Sequence, residues 1–172
     1  MATEKTFWWY WLGGLGLLAL MGATNPMLGT PVAPDGILDH QAASTAAMVD
    51  AIQQSWADRG VMPLARISMA IDLLFIGVYT RGAVAGAQIF RGNHNVLIRR
   101  LGALILAAAA VFCIGDYTET ISQFVEAMTF RGSDLLSAIH STARPIKHVA
   151  FLVTLVGLPT ALILRRITAK SG

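Results

Sequence analysis

The sequence has little charge and a single cysteine. Only 13% of its 172 residues are charged and 55% are hydrophobic, whereas about a quarter of an average soluble domain is charged. This shortage of charge excludes a disordered chain and an ordinary water-soluble domain. The one cysteine, Cys113, excludes a disulfide framework and a CxxC redox pair. The net charge of +3 is too small for a nucleic-acid-binding surface, so we expect no nucleic-acid partner.

Several signatures of catalysis and of metal binding are also missing. The sequence contains neither a G-x-S-x-G nucleophile motif nor a phosphate-binding glycine loop. No histidine pair has the spacing of a metal site, and no histidine lies near the centre of an apolar segment, which disfavours haem. We therefore expect no metal and no cofactor, and the sequence assigns no catalytic residue.

Four apolar segments are long enough to cross a bilayer. A transmembrane helix needs about 20 mostly apolar residues, and the segments lie at about 7–28, 63–80, 101–118 and 147–164. The pattern predicts an all-α fold, an integral membrane four-helix bundle, in which residues 1–172 form a single membrane domain. The lipid bilayer is then its first partner.

The charges between these segments predict their orientation. Lys and Arg beside a span tend to stay cytoplasmic. Residues 81–100 carry four arginines and no acid, whereas the first loop carries four aspartates. We expect a multi-pass protein of the bacterial cytoplasmic (inner) membrane with both termini cytoplasmic. A cleavable signal peptide ending near Ala23 is an alternative, but uncharged sequence continues past it, and the aromatic belt at 7–11 favours a retained anchor.

Two segments outside the spans show helical periodicity. Met48, Val49, Ile52 and Trp56 predict a short extracytoplasmic amphipathic helix at about 42–57. This helix is either a structural cap on the bundle or a lid over an outward-facing pocket. The third span continues as a helix to about residue 130, with apolar residues on one face and an acidic stripe, which includes Glu119 and Glu126, on the other.

Asp72 is the first candidate for a functional residue, because an ionisable group inside a span is costly and usually faces the bundle interior. Tyr79 follows two helical turns later on the same face and is expected to line the same seam. Asp72 either holds the bundle in one arrangement through hydrogen bonds or handles protons or a ligand.

A second group of polar residues is predicted from helix depth. Asp116 and Lys147 lie at similar depths of an antiparallel hairpin and can meet, and the acidic stripe would face His140 and Arg144. The arrangement is either an ion-pair zipper or a pocket for an anionic or zwitterionic molecule. The candidate polar cluster therefore contains Asp72, Tyr79, Asp116, Glu119, His140, Arg144 and Lys147.

Three short motifs carry a resemblance. They are Asp72-Leu73-Leu74-Phe75 in the second span, Asp116-Tyr117-Thr118-Glu119 in the third, and a lysine that opens the fourth. Together they resemble a loosely defined set of uncharacterised bacterial four-span membrane proteins. The resemblance implies the four-span architecture and one cluster of the acids and the lysine, but it supplies no reaction. Where such proteins tend to show Glu-Asn, this chain has Glu119-Thr120.

Three functions are compatible with these features. The leading hypothesis is a non-enzymatic accessory or scaffold subunit, or a small-molecule-binding protein, with a buried acid-base cluster near the outer face. An intramembrane enzyme acting on a lipid or isoprenoid by acid-base chemistry is the alternative, and an oligomeric proton-coupled transporter is the third. Small residues in the first span could support self-association or docking to a larger membrane complex, and Gly82 and Gly86 add a weak GxxxG dimer signal.

Overall fold

The computed structural model describes residues 3–170, and these residues form helices and connections without a β-strand. Four of the helices are long and apolar enough to cross a membrane, which confirms the predicted all-α architecture. The elements in chain order are α1 (Glu4–Thr24), a short 3-10 helix (Asn25–Leu28), α2 (Ile37–Ala42), α3 (Ala46–Asp58), α4 (Met62–Arg91), α5 (Val96–Thr129) and α6 (Asp134–Lys170).

Side-chain caps mark where two of the helices begin. The region predicted as one amphipathic helix holds the end of α2 and the whole of α3, because Thr45 has extended backbone and accepts a hydrogen bond from Met48 N. Asn95 accepts one from Leu97 N and so starts α5. The long helix α6 runs through both Pro145 and Pro159 without ending.

The described chain divides into two compact units. The terminal unit comprises residues 3–15, 77–114 and 146–170, and the loop unit comprises Gly16–Ile76 and Gly115–Pro145. The first contains the arginine-rich connection between α4 and α5, and the second contains the long first loop.

In the terminal unit, α1 and α4 approach each other at glycines. A Cβ placed on Gly14 would lie 2.8 Å from Tyr79 Cα, and one placed on Gly82 would lie 2.5 Å from Trp11 N. A Cβ on Gly86 would likewise meet Phe7. The GxxxG glycines of α4 therefore pack against α1 of the same chain, as small residues do where helices in membranes come close.

The loop unit has a hydrophobic core that forms around α3. Val49, Ile52 and Trp56 are buried there, and the Trp56 indole N–H donates to the carbonyl oxygen of Leu28 at 2.8 Å. Met48, which the sequence placed on the apolar face, is 47% exposed, while the polar Gln53 is buried. The buried face of α3 is therefore rotated from the predicted one and carries an amide into the interior.

Two backbone contacts fasten α3 to the turn between α5 and α6. Asp50 accepts a hydrogen bond from Gly132 N at 2.6 Å, and Asp134 accepts one from Ala46 N at 2.8 Å. A Cβ at Gly132 would collide with the backbone of Ala46. The contacts are reciprocal, since each segment supplies one carboxylate and one backbone amide, and they hold α3 in place at its N-terminal half.

The final turns of α5 carry their polar side chains inward and their apolar side chains outward. The polar stripe of Glu119, Gln123 and Glu126 is at most 1% exposed, whereas Ile121 and Met128 are about half exposed. A helix on a water-soluble protein shows the reverse arrangement. An apolar outer face over a polar inner one is expected where the surroundings are lipid.

Candidate functional site

The candidate site lies in the loop unit and is organised by the Glu126 carboxylate. Its Oε1 accepts hydrogen bonds from Ser133 N and from Ser137 Oγ, both at 3.0 Å. Its Oε2 lies 3.2 Å from Nε2 of His140. Glu126 lies in the last turn of α5, Ser133 directly precedes α6, and Ser137 and His140 lie in the first two turns of α6. One carboxylate therefore links the two sides of the connecting turn. Neither Glu126 nor His140 exposes any side-chain surface.

His140 extends the contact from Glu126 to α2. Its second ring nitrogen, Nδ1, lies 3.3 Å from the carbonyl oxygen of Gln41. Both nitrogens therefore face acceptor oxygens, one of them on a carboxylate. A ring in this setting links three helices through its two edges, which suits a residue that fixes the positions of the elements around it.

His40 lies beside His140 with the two rings stacked, 5.8 Å between centroids and 19° between planes. Its ring also stacks with that of Trp56, at 5.3 Å, and its Nε2 lies 3.4 Å from Nε2 of Gln53. If the Gln53 amide nitrogen donates here, Nε2 of the neutral ring is the acceptor and the ring proton lies on Nδ1. Burial, with a smaller effect of the neighbouring His140, lowers the pKa of His40 from 6.5 to about 4.

Around His40, Nδ1 of the ring and Oε1 of Gln53 make no hydrogen bond within the part of the chain that the structure describes, and both side chains are at most 1% exposed. Unpaired polar atoms are costly in an interior. They give the site one donor and one acceptor beyond what its own chain uses.

Further polar contacts lie elsewhere in the loop unit, one within α5 and two between α4 and α5. Asp72, half-buried, accepts a hydrogen bond from Thr120 Oγ1 at 2.8 Å. Glu119 is fully buried and accepts one from Gln123 Nε2 at 3.3 Å. Arg66 donates from Nε to the carbonyl oxygen of Ala127 at 3.0 Å. Each of these contacts gives a hydrogen-bond partner to a polar group whose burial without one would cost free energy.

The predicted site residues are divided between the two units. Asp72, Asp116, Glu119, His140 and Arg144 lie in the loop unit, and Tyr79 and Lys147 lie in the terminal unit. The structure brings the acidic stripe and His140 together, through Glu126. Tyr79 is fully buried among Phe112 and Phe151, and its hydroxyl is 2.9 Å from Thr154 Oγ1. Asp116 and Lys147 are both buried, and their pairing stays a prediction.

Within residues 3–170, no group of three or more histidine, cysteine, aspartate or glutamate side chains is placed to hold a metal ion. The stacking of His40 on His140 gives the reason at the site itself. Ring nitrogens coordinate in the plane of the imidazole, and two nearly parallel rings direct their nitrogens along separate planes rather than to one point.

Sequence reasoning missed the residues that surround His140. His40 and Gln41 belong to a six-residue helix, α2, which is too short to show a period, and the apolar residues that predict the neighbouring helix do not include Gln53. No local pattern marks these residues. Their burial depends on packing with His140 and the start of α6, which is distant in the chain.

No protein-family model, curated protein or solved structure matches this chain. The site must therefore be interpreted from its own geometry.

Proposed function

We propose that this protein is a multi-pass accessory subunit of a larger assembly in the bacterial cytoplasmic membrane, with no reaction of its own. The loop unit is its extracytoplasmic cap. The main support for the proposal is the contact between Glu126 and His140, which is fully buried on both sides. Glu126 and His140, an acid and a base that could have performed chemistry, instead join α2, α5 and α6.

The contacts of Glu126 favour a structural use of its charge. A buried carboxylate needs compensating donors, and this one has a backbone amide, a hydroxyl and an imidazole, all from its own chain. A general acid or base must come within hydrogen-bond reach of the proton it transfers. A group that has no exposed surface and is surrounded by its own chain is better suited to fixing helices than to meeting a substrate.

The attachment of α3 favours a cap rather than a lid. Its apolar side is buried around Trp56, and the contacts Asp50 to Gly132 and Asp134 to Ala46 fasten it to the turn before α6. Opening α3 would break both hydrogen bonds and expose the core. A rigid cap supplies a defined surface on which a partner can dock.

The distribution of charge supports placing the cap outside the cytoplasm. Asp35, Asp39, Asp50 and Asp58 lie in the loop unit, whereas the sequence between Asp72 and Asp116 contains arginines and no acid. Basic segments beside spans tend to be retained in the cytoplasm. This orientation leaves both termini on the cytoplasmic side.

Binding of a small polar molecule in the loop unit is a second candidate function. It is favoured by His40 Nδ1 and Gln53 Oε1, the unpaired donor and acceptor of the site. A ligand that both donates and accepts hydrogen bonds would satisfy both atoms. Its chemistry would be that of a small hydroxyl or amide compound rather than that of a metal ion.

The two functions can be separated by extracting native membranes in a mild detergent and identifying what travels with the chain, by native gels and mass spectrometry. An accessory subunit migrates with a larger partner in constant proportion, and Asp72→Asn leaves that association intact. Migration alone, without partner or ligand, would contradict both functions.

A ligand-binding protein would instead migrate alone with a bound small molecule. Gln53→Leu should release that molecule because it removes the unpaired acceptor. Gln54→Leu is the matched control, since Gln54 is exposed and donates a hydrogen bond to the exposed Asp58. Equal retention in the two variants would argue against binding at this site.

A further inference from the structure

A groove in the terminal unit is lined by three arginines. They are Arg91, at the end of α4, and Arg99 and Arg100, in the first turns of α5. The rest of the lining consists of Gln88, Gly92 and Ala103. The groove has a volume of about 540 Å³, and its three arginines are exposed. No aspartate or glutamate occurs between Asp72 and Asp116, so no acid from this stretch of sequence competes for the guanidinium groups.

The backbone around the groove is set by close packing and by caps. A Cβ at Gly102 would lie 2.9 Å from both Ala87 O and Arg91 N, so α5 rests directly on the last turn of α4. In the connection, Asn93 Oδ1 accepts a hydrogen bond from Asn95 N, and Asn95 Oδ1 accepts one from Leu97 N. The arginines are therefore presented from a rigid hairpin rather than from a loose loop.

We infer that this groove binds a phosphate group. Guanidinium groups match phosphate oxygens through paired N–H donors, and three of them on one rigid hairpin create a local positive field. Gln88 adds a neutral amide donor. The backbone amide of Leu97 at the start of α5 is not available to a phosphate, because it already donates to Asn95 Oδ1.

The phosphate can come from a lipid headgroup or from a small molecule in solution. Arg91 and Arg99 lie at the ends of two helices that are long and apolar enough to span a membrane. Basic pockets at such positions bind the headgroups of anionic lipids. The shared chemistry is that of a phosphate mono- or diester, and the two sources differ in whether an acyl chain is required.

The test uses the full chain, purified in a neutral detergent, and compares the Arg99→Gln/Arg100→Gln variant with the unaltered protein. Thermal unfolding is followed while phosphatidylglycerol, phosphatidylcholine or inorganic phosphate is added, and native mass spectrometry counts retained lipid. The matched control is Arg59→Gln/Arg131→Gln, which removes the same charge from two exposed arginines of the loop unit.

We expect phosphatidylglycerol to raise the unfolding midpoint more than phosphatidylcholine does, and the groove variant to lose about tenfold or more of the affinity. The control variant should keep it. A response to phosphatidylglycerol alone identifies a lipid headgroup, and an equal response to inorganic phosphate identifies a soluble phosphate. Equal losses in the two variants, or no preference for any phosphate anion over phosphatidylcholine, would overturn the assignment.

Discussion

Glu126 and His140 belong to different helices, yet Oε2 of the carboxylate lies 3.2 Å from Nε2 of the imidazole, and neither side chain has exposed surface. The two residues thus form a buried carboxylate–imidazole contact at the point where α5 turns into α6. A buried contact of this kind stabilises a protein no more than well-packed apolar residues in its place would. Removing one partner is costly, however, because the other is left buried without a compensating group.

Glu126→Gln should therefore lower the free energy of unfolding by about 3 kcal/mol or more, because it removes the charge that faces His140. Thermal unfolding in detergent measures the change. The matched variant is Glu4→Gln, whose partner Arg165 is 2.7 Å away but whose side chain is 61% exposed. Exposed pairs contribute little, so this variant should unfold like the parent. Combining Glu126→Gln with His140→Gln should cost less than the sum of the single changes.

Stability should also fall as the pH drops from about 6.5 to about 4, because the pKa of His40 is about 4 in the folded protein and 6.5 when free. Between these values the unfolded chain binds a proton that the folded chain does not, so acid favours unfolding. The free energy of unfolding is unaffected by the titration of His40 above about pH 6.5. The loss that this titration causes is complete below about pH 4, where it amounts to about 3 kcal/mol.

Unfolding midpoints measured across this pH range in His40→Gln should show a shallower slope than in the parent. The other titratable groups that face His40 are His140 and Glu126, so some slope will remain. An unchanged slope in His40→Gln would show that this ring is not the group that titrates. His94→Gln is the matched control, since His94 is exposed.

Gly82→Ala should destabilise the terminal unit, because its Cβ would meet the backbone of Trp11, which cannot move aside as a flexible side chain can. The matched variant is Gly16→Ala. A Cβ at Gly16 has nothing within 4 Å, so this change should be neutral or stabilise helix α1 by up to about 1 kcal/mol. Thermal unfolding of the two variants provides the comparison, and equal midpoints would contradict the close approach of α1 and α4.

Tyr79→Phe should cost about 1 kcal/mol of stability, the usual value of one buried hydrogen bond. Thr154 keeps a partner, because its hydroxyl also donates to the carbonyl oxygen of Phe151. Tyr10→Phe is the control, since its ring retains the contact with Arg81. If Tyr79→Phe disrupts association with a partner without altering the unfolding midpoint, its hydroxyl has a functional use rather than a structural one.

The sequence predicted the four long helices because their signals are local. Apolar length and the absence of charge can be counted along the chain, and the acidic stripe of α5 is visible from its spacing alone. That this stripe would face His140 followed from the similar depths of the two helices in an antiparallel hairpin.

The surroundings of His140 could not be predicted in this way. His40 reaches the site because α2 packs beside α3 and α6, and six residues of helix carry no periodic signal of their own. The rotation of α3 that buries Gln53 and exposes Met48 likewise depends on partners from other parts of the chain. The spacing of apolar residues identifies the apolar face of a helix. Which residues at the border of that face become buried depends on the elements that pack against it.

The outward apolar face of α5 has a practical consequence for preparing the protein. Ile121, Val125 and Met128 belong to the loop unit, near the end of α5, and all three are substantially exposed. A fragment made of the loop unit alone would carry this face into water, where a contiguous apolar patch drives aggregation. Domain-level crystallography or soluble expression of the cap should therefore fail, whereas the same fragment should remain dispersed in detergent or a nanodisc.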